Sequence, residues 1–274
     1  MEKVSVRLAI ILGPYRNLST LSAAILSLHP DCQVLNHAAH RLLADSSINF
    51  FTNVEAETFD RFLQAAREAS GGGQRGGFGG SILHSHAYAN SPLLKSLYYR
   101  RYGDQALKPH AACLVWKDSM RIQRRLMWDD ILFDRLCTTF PDLRFFMPIR
   151  NPLDCAVSNV STRAIEYLTE KRNNVSLERA IDLVLAAYAW VLNKRDNRPD
   201  RIFVFTQYDE RPTVFGALAD FLHLTRYEDW IHDTTEAFRI TREYQHSAET
   251  VDYTRSATRA RLKHWPDIVR RLGY

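Results

Sequence analysis

Four short polar groups interrupt apolar runs in this sequence, and each carries side chains suited to a multiply charged anion. The first is Arg16-Asn17-Leu18-Ser19-Thr20, between the apolar run 7–12 with its Gly13-Pro14 break and a periodic segment marked by Leu21, Ile25 and Leu28. An apolar run broken by Gly-Pro and followed by Ser-Thr predicts strand, loop and helix start. The open N–H groups and the positive dipole end of such a helix favour phosphate or sulfate, and Arg16, Ser19 and Thr20 add side-chain donors. Taken alone, the stretch also reads as an ordinary capped helix after a buried strand. Neither a second glycine nor Gly-Lys-Ser/Thr follows Gly13, so the lysine and Mg²⁺ chemistry of a Walker loop lacks its parts and Arg16 stands in for the lysine.

The second group, Asn36-His37, closes a short predicted strand at 33–37. The third, Lys117-Asp118-Ser119, follows a buried strand at 111–116, and a lysine at that edge is poor core material. The fourth is Arg150, after a strand at 144–149 whose Pro148 predicts that its last part leaves the ladder. Pro152 then fits the first turn of a helix carrying Ser158. His84 and His86 would share a face of a strand, but no third ligand at metal spacing accompanies them, so they read as surface or substrate-pocket histidines.

The elements that must position these groups alternate. Strands at 7–12, 33–37, 111–116, 144–149 and 201–207 are separated by helical patterns at 55–70, 91–102 and 177–193, with further helices at 215–224 and 257–272. That order predicts an α/β fold: a parallel sheet of about five strands flanked by helices on both faces, as a single domain over 1–274. Ligands bind at the carboxyl edge of such sheets, where all four polar groups fall. The glycine-rich stretch 71–80 predicts a flexible loop, read either as a solvated connector or as a lid closing an acceptor pocket with Phe78.

Composition bounds the rest. With 46% hydrophobic residues in 274, the chain can bury a substantial core. A net charge of +5, from 36 basic and 31 acidic residues spread along the chain, suits an anionic ligand and does not call for nucleic acid. Cys32, Cys113, Cys137 and Cys155 lie far apart without CxxC spacing, as reduced core thiols do. Arg7 interrupts the first apolar run, no cleavage site follows it, and no stretch reaches membrane-span length, so a cytoplasmic protein is expected.

The polar groups also resemble a known family. Pro14–Leu21 looks like the 5′-phosphosulfate loop of sulfotransferases that use 3′-phosphoadenosine 5′-phosphosulfate (PAPS), and His29-Pro30-Asp31 matches many members. The run from Arg150 to Ser158 resembles their 3′-phosphate motif, with Arg and Ser at the family's spacing. Trp116-Lys117-Asp118-Ser119 resembles the Lys-Asp-Pro segment of tyrosylprotein sulfotransferases and bacterial relatives. Gln207-Tyr208-Asp209-Glu210-Arg211-Pro212, with Phe221-Leu222 beyond it, resembles their Arg-Tyr-Glu-Asp-Leu segment, whose Tyr belongs to the nucleotide site. The pieces span most of the chain in the family's order. Two departures stand out: Leu18 replaces the loop's usual Gly, and His37 occupies the position of the catalytic Glu of tyrosylprotein-type enzymes.

The resemblance implies a P-loop-like fold, PAPS as co-substrate, 3′,5′-adenosine bisphosphate (PAP) as product, and sulfuryl transfer to a hydroxyl of a small molecule or carbohydrate. It assigns donor binding to Arg16, Asn17, Leu18, Ser19, Thr20, Arg150, Ser158, Tyr208 and Arg255, with Ser247 and Arg259 in the same C-terminal segment. It assigns the transfer to Lys117 and Arg16, stabilising the leaving phosphate and moving sulfonate, and to His37 as base. An imidazole near its ordinary pKa of ~6.5 can take a hydroxyl proton at neutral pH; His40, His84 and His86 are the alternative bases. No metal is implied, since Arg and Lys neutralise the charge. A P-loop kinase or NTPase, and a non-catalytic nucleotide- or glycan-binding relative, are the competing readings.

Overall fold

The strands are short apolar runs whose alternate residues face two different cores. In β1 (Arg7–Ile11), Leu8 and Ile10 join one buried cluster, whereas Ala9 and Ile11 join the other. β2 (Cys32–Asn36), β4 (Cys113–Lys117), β5 (Arg144–Ile149) and β6 (Ile202–Thr206) run parallel to it, and β3 (Gly80–Ser81) pairs antiparallel with β2. The strand order is β3-β2-β4-β1-β5-β6. The computed structural model describes residues 6–73, 79–167, 169, 175–240 and 244–274.

Helices connect and cover the strands: α1 (Ser19–Leu26), α2 (Ala39–Leu42), α3 (Ala56–Ser70), α4 (His86–Ala89), α5 (Pro92–Tyr102), α6 (Ser119–Trp128), α7 (Asp130–Thr139), α8 (Pro152–Ser161), α9 (Leu177–Asn197), α10 (Arg211–Phe221), α11 (Glu228–Ala237), α12 (Ala248–Arg261) and α13 (Pro266–Arg271). Residues of α3 and α6–α9 contribute to one core, and residues of α1, α5, α10 and α11 to the other. The α/β expectation is met, with the short antiparallel β3 added to five parallel strands. Because the chain visits β2 and β4 on one side of β1 and β5 on the other, the order reverses at β1. The crevice outside its carboxyl end is where such sheets bind ligands.

Several local expectations need correction. Pro148 stays in the ladder, in register with Phe205. Phe146 points its carbonyl toward β1, so Pro148, two residues on, turns its ring nitrogen to the same side, where β1 has already ended. No ladder donor is lost there. His84 and His86 do not share a strand face: His84 closes a 3₁₀ turn (Ile82–His84) and His86 opens α4. The segment 257–272 is two helices, because Pro266 cannot donate to the preceding turn and instead starts α13. Helix α10 begins at Arg211, earlier than expected, with the Glu210 carboxylate accepting from Thr213 N.

Of the glycine-rich stretch, residues 74–78, including the Phe78 of the expected lid, lie outside the described residues. Its end is described: Gly79, at φ +67°, lies so close to the β2 end that a Cβ there would come within 2.2 Å of Ala38 N. Only glycine permits that approach.

Candidate active site

The loop after β1 is built around one amide. Asn17 is fully buried. Its Nδ2 donates to Pro148 O, and its Oδ1 accepts from Arg150 N at 2.9 Å and lies 2.5 Å from the Tyr188 hydroxyl of α9. Gly13, at φ +114°, donates its N–H to Gln123 Oε1 at 2.7 Å, and a Cβ there would stand 2.6 Å from Asn17 Nδ2. The expected donor contact of Asn17 is therefore left to its backbone, since its amide ties the loop to β5 and α9. Leu18 takes φ +60° at the N-cap of α1, so it adopts the left-handed geometry that a glycine would supply, at a cost of roughly 1–2 kcal/mol. It puts no side-chain cap on the first-turn N–H groups, which leaves them to a ligand.

Arg16, also left-handed at φ +63°, donates from Nε to Ser158 Oγ at 2.9 Å. Arg150 reaches back from the end of β5, its Nη1 3.3 Å from Arg16 O. Its side chain is buried, its guanidinium stands 5.5 Å from the Tyr244 ring centroid, and its Nε has no hydrogen-bond partner among the described residues. An orphaned, buried guanidinium nitrogen beside uncapped helix N–H groups calls for an anionic partner.

On the other side of the loop, β2 and β4 deliver a hydrogen-bonded trio. His37 Nε2 is 3.0 Å from Lys117 Nζ, and Nδ1 is 3.3 Å from Asp118 Oδ1. Asp118 Oδ2 accepts from Ala39 N at 3.1 Å. The His37 backbone, at φ +62°, is pinned by its N–H on Lys117 O and by Trp116 Nε1 on its carbonyl, both at 2.7 Å. Burial pulls the Lys117 ammonium down to about 8, Asp118 opposes the shift, and Arg16 and Arg121 add to it. Burial works to raise Asp118, but the His37 hydrogen bond and the charges of Arg121 and Lys117 outweigh it and hold the carboxyl below its ordinary range. A carboxylate on Nδ1 fixes the proton there and leaves the Nε2 lone pair as the acceptor.

Arg16, Ser19 and Thr20 form a wall shared by two cavities, of about 370 Å³ and 410 Å³, with His86 also lining both. The first holds Arg150, Arg239 and Leu18; the second holds His37, Lys117, Arg121 and Tyr167. The predicted residues Arg16, Ser19, Thr20, Arg150, His37 and Lys117 are thus brought together. Ser158 stands behind the wall, fully buried and holding Arg16.

Others fall outside the cavities. Tyr208 is exposed and lines neither cavity, its hydroxyl 3.4 Å from Asn151 Nδ2. Arg255 is exposed on α12 and paired with Asp252 at 2.6 Å, Ser247 caps α12, and Arg259 is exposed. Arg239, which the sequence reading missed, is the cation facing Arg150's cavity instead. His40 and His84 are exposed and line neither cavity. Asp118, Arg121 and Tyr188 were given no role beforehand. Only Asp118, adjacent to Lys117 at a strand end, carried a sequence signal.

No protein-family model matches the chain, and a search of curated proteins finds no match. Among solved structures it is similar to the sulfotransferase STF9 from Mycobacterium avium, at 15% identity and TM-score 0.48 over 96% of this chain and 76% of that one. It is also similar to a sulfotransferase from Alicyclobacillus acidocaldarius, at 15% identity and TM-score 0.46 over 96% of this chain and 95% of that one. A third is the sulfotransferase domain of the Synechococcus PCC 7002 olefin synthase, at 14% identity and TM-score 0.43 over 93% of this chain and 96% of that one. Likeness at these values carries no weight for the chemistry, which rests on the side chains described above.

Proposed function

We propose that this protein transfers a sulfuryl group from PAPS to the hydroxyl of a small-molecule or carbohydrate acceptor. One observation carries the reading: Arg16, Ser19 and Thr20 are common to a cavity with Arg150 and Arg239 and a cavity with His37 and Lys117. A group that must pass between two molecules belongs at such a shared wall, and the wall's donors suit a phosphosulfate. The residues fit the donor's second anion as well, since the buried Arg150 Nε lacks a partner.

In this reading the first-turn N–H groups of α1, Arg16, Ser19 and Thr20 hold the 5′-phosphosulfate. Arg150 holds the 3′-phosphate, Ser158 orients Arg16, and Tyr208 and Arg255 are peripheral. His37 Nε2 takes the proton of the acceptor hydroxyl as the acceptor oxygen bonds to sulfur and the sulfur–oxygen bond to the phosphate breaks. Lys117 turns from His37 to the charge developing on the phosphate oxygen, as electrostatic stabilisation of a transferring group requires. Asp118 holds His37 in the tautomer that accepts.

Calorimetry tests the donor. PAP is expected to bind without added Mg²⁺ and more tightly than 5′-AMP, which lacks the 3′-phosphate. Tighter binding of ATP with Mg²⁺ than of PAP would overturn the reading in favour of a kinase or NTPase.

A further inference from the structure

The cavity containing His37 has more positive charge than the proposed transfer uses. Arg16, Lys117 and Arg121 line it, and among the described residues no aspartate or glutamate does. Arg16 bonds Ser158 and Lys117 bonds His37, so both already belong to the transfer machinery. Arg121, in the first turn of α6, does not. Its ion pair with Asp118 is long, at 3.9 Å, against the 2.7–2.9 Å or so of a charge-assisted hydrogen bond. Asp118 is meanwhile engaged by His37 and by Ala39 N.

The Arg121 side chain lines the cavity and is about one-third exposed, and its guanidinium sits 5.7 Å from the centroid of the Tyr167 ring. Tyr167 in turn packs edge-on against Tyr15, with centroids 5.5 Å apart, and both rings line the same cavity. A planar cation beside an aromatic wall, in a cavity that no described acidic side chain lines, is complementary to an acceptor that carries a carboxylate on an apolar or aromatic frame.

Resting on the transfer reading above, we infer that the acceptor is a hydroxyl-bearing carboxylate. Its carboxylate pairs with Arg121, its frame packs on Tyr15 and Tyr167, and its hydroxyl faces His37 Nε2. Arg121 is then a specificity residue: it selects the acceptor and leaves the donor site alone.

The test uses PAP-loaded full-length protein titrated with 4-hydroxyphenylacetate and, separately, with its uncharged methyl ester. The acid is expected to bind at least tenfold more tightly than the ester. R121Q is expected to remove that preference, and R121K to retain part of it, with PAP affinity and melting temperature unchanged in both variants. Equal affinity for acid and ester, or no binding of the acid, overturns the inference while leaving the donor assignment standing. A preference that survives in R121Q also overturns it, since the carboxylate would then occupy the place of the sulfonate at Arg16 and Lys117. Failure of PAP itself to bind sinks the transfer reading, and the acid and ester are then titrated into the unloaded protein under the same criterion.

Discussion

The two cavities that meet at Arg16, Ser19 and Thr20 are held in opposite ways. Around Arg150 the backbone is held by short contacts within the protein, since the buried Asn17 amide joins the loop, β5 and α9 and the Arg150 N–H hangs from it, while the guanidinium Nε is left without a partner among the described residues. Around His37 the contacts are longer, at 3.0 and 3.3 Å, the His37 side chain is about one-third exposed, and an ammonium faces an imidazole with Arg16 and Arg121 nearby. The first arrangement fixes a shape. The second holds excess positive charge that a negative ligand relieves. In the proposed reading the difference separates gripping from reacting: the donor is held by a fixed loop, whereas transfer needs a cation and a base that can change partners.

That contrast can be broken at either end. The largest effect expected is from His37→Ala, a loss of ~10²–10⁴-fold in turnover with PAP affinity nearly unchanged, as for removal of a general base. Unaltered turnover would move the base elsewhere. Lys117→Ala should follow, costing about 10²–10³-fold in turnover, the range for deleting one electrostatic stabiliser, again with little effect on PAP. Arg150→Ala should act in reverse, weakening PAP by about 2–5 kcal/mol in calorimetry, because a buried phosphate would lose its charged partner. Asn17→Ala should destabilise the fold by about 1–3 kcal/mol in urea titration, by stranding the Arg150 N–H and the Pro148 carbonyl.

The smallest effect is the most diagnostic of Lys117. Because burial lowers its ammonium to about 8 in the free protein, kcat/KM for PAPS should decline as pH rises through about 8, where the charge is lost. Lys117→Arg, which stays charged, should remove that decline. Stability should move the other way. Above pH 8 the unfolded chain holds the lysine proton more firmly than the folded one, so the cost of burying the charge fades toward the ordinary lysine pKa near ~10.4.

The sheet and the loop after β1 were legible in the sequence because both depend on local signals. Alternating apolar runs, the Gly13-Pro14 break and Pro152 at a helix start act within a few residues of themselves. The Arg150-to-Ser158 spacing located the start of α8, but the structure turns Ser158 to Arg16, where the resemblance had paired it with Arg150. What stayed hidden was long-range. Tyr188 lies 171 residues from Asn17 and reads as one more apolar position on α9; only the folded chain brings its hydroxyl to the loop. Arg239 follows α11, a helix that was not anticipated. β3 has two residues, too few for a period to appear. The choice of Arg255 followed the resemblance, whose members often supply a basic loop from that C-terminal segment, but its charge is turned to Asp252 on its own helix.

The central claim is that a sulfuryl group crosses the wall formed by Arg16, Ser19 and Thr20. Incubating the protein with ³⁵S-labelled PAPS and a panel of hydroxyl acceptors that includes 4-hydroxyphenylacetate measures that crossing directly. The account predicts label on an acceptor oxygen with one PAP released per transfer, and label reduced at least a hundredfold in His37→Ala. A protein that binds PAP yet moves no label to any acceptor would contradict it.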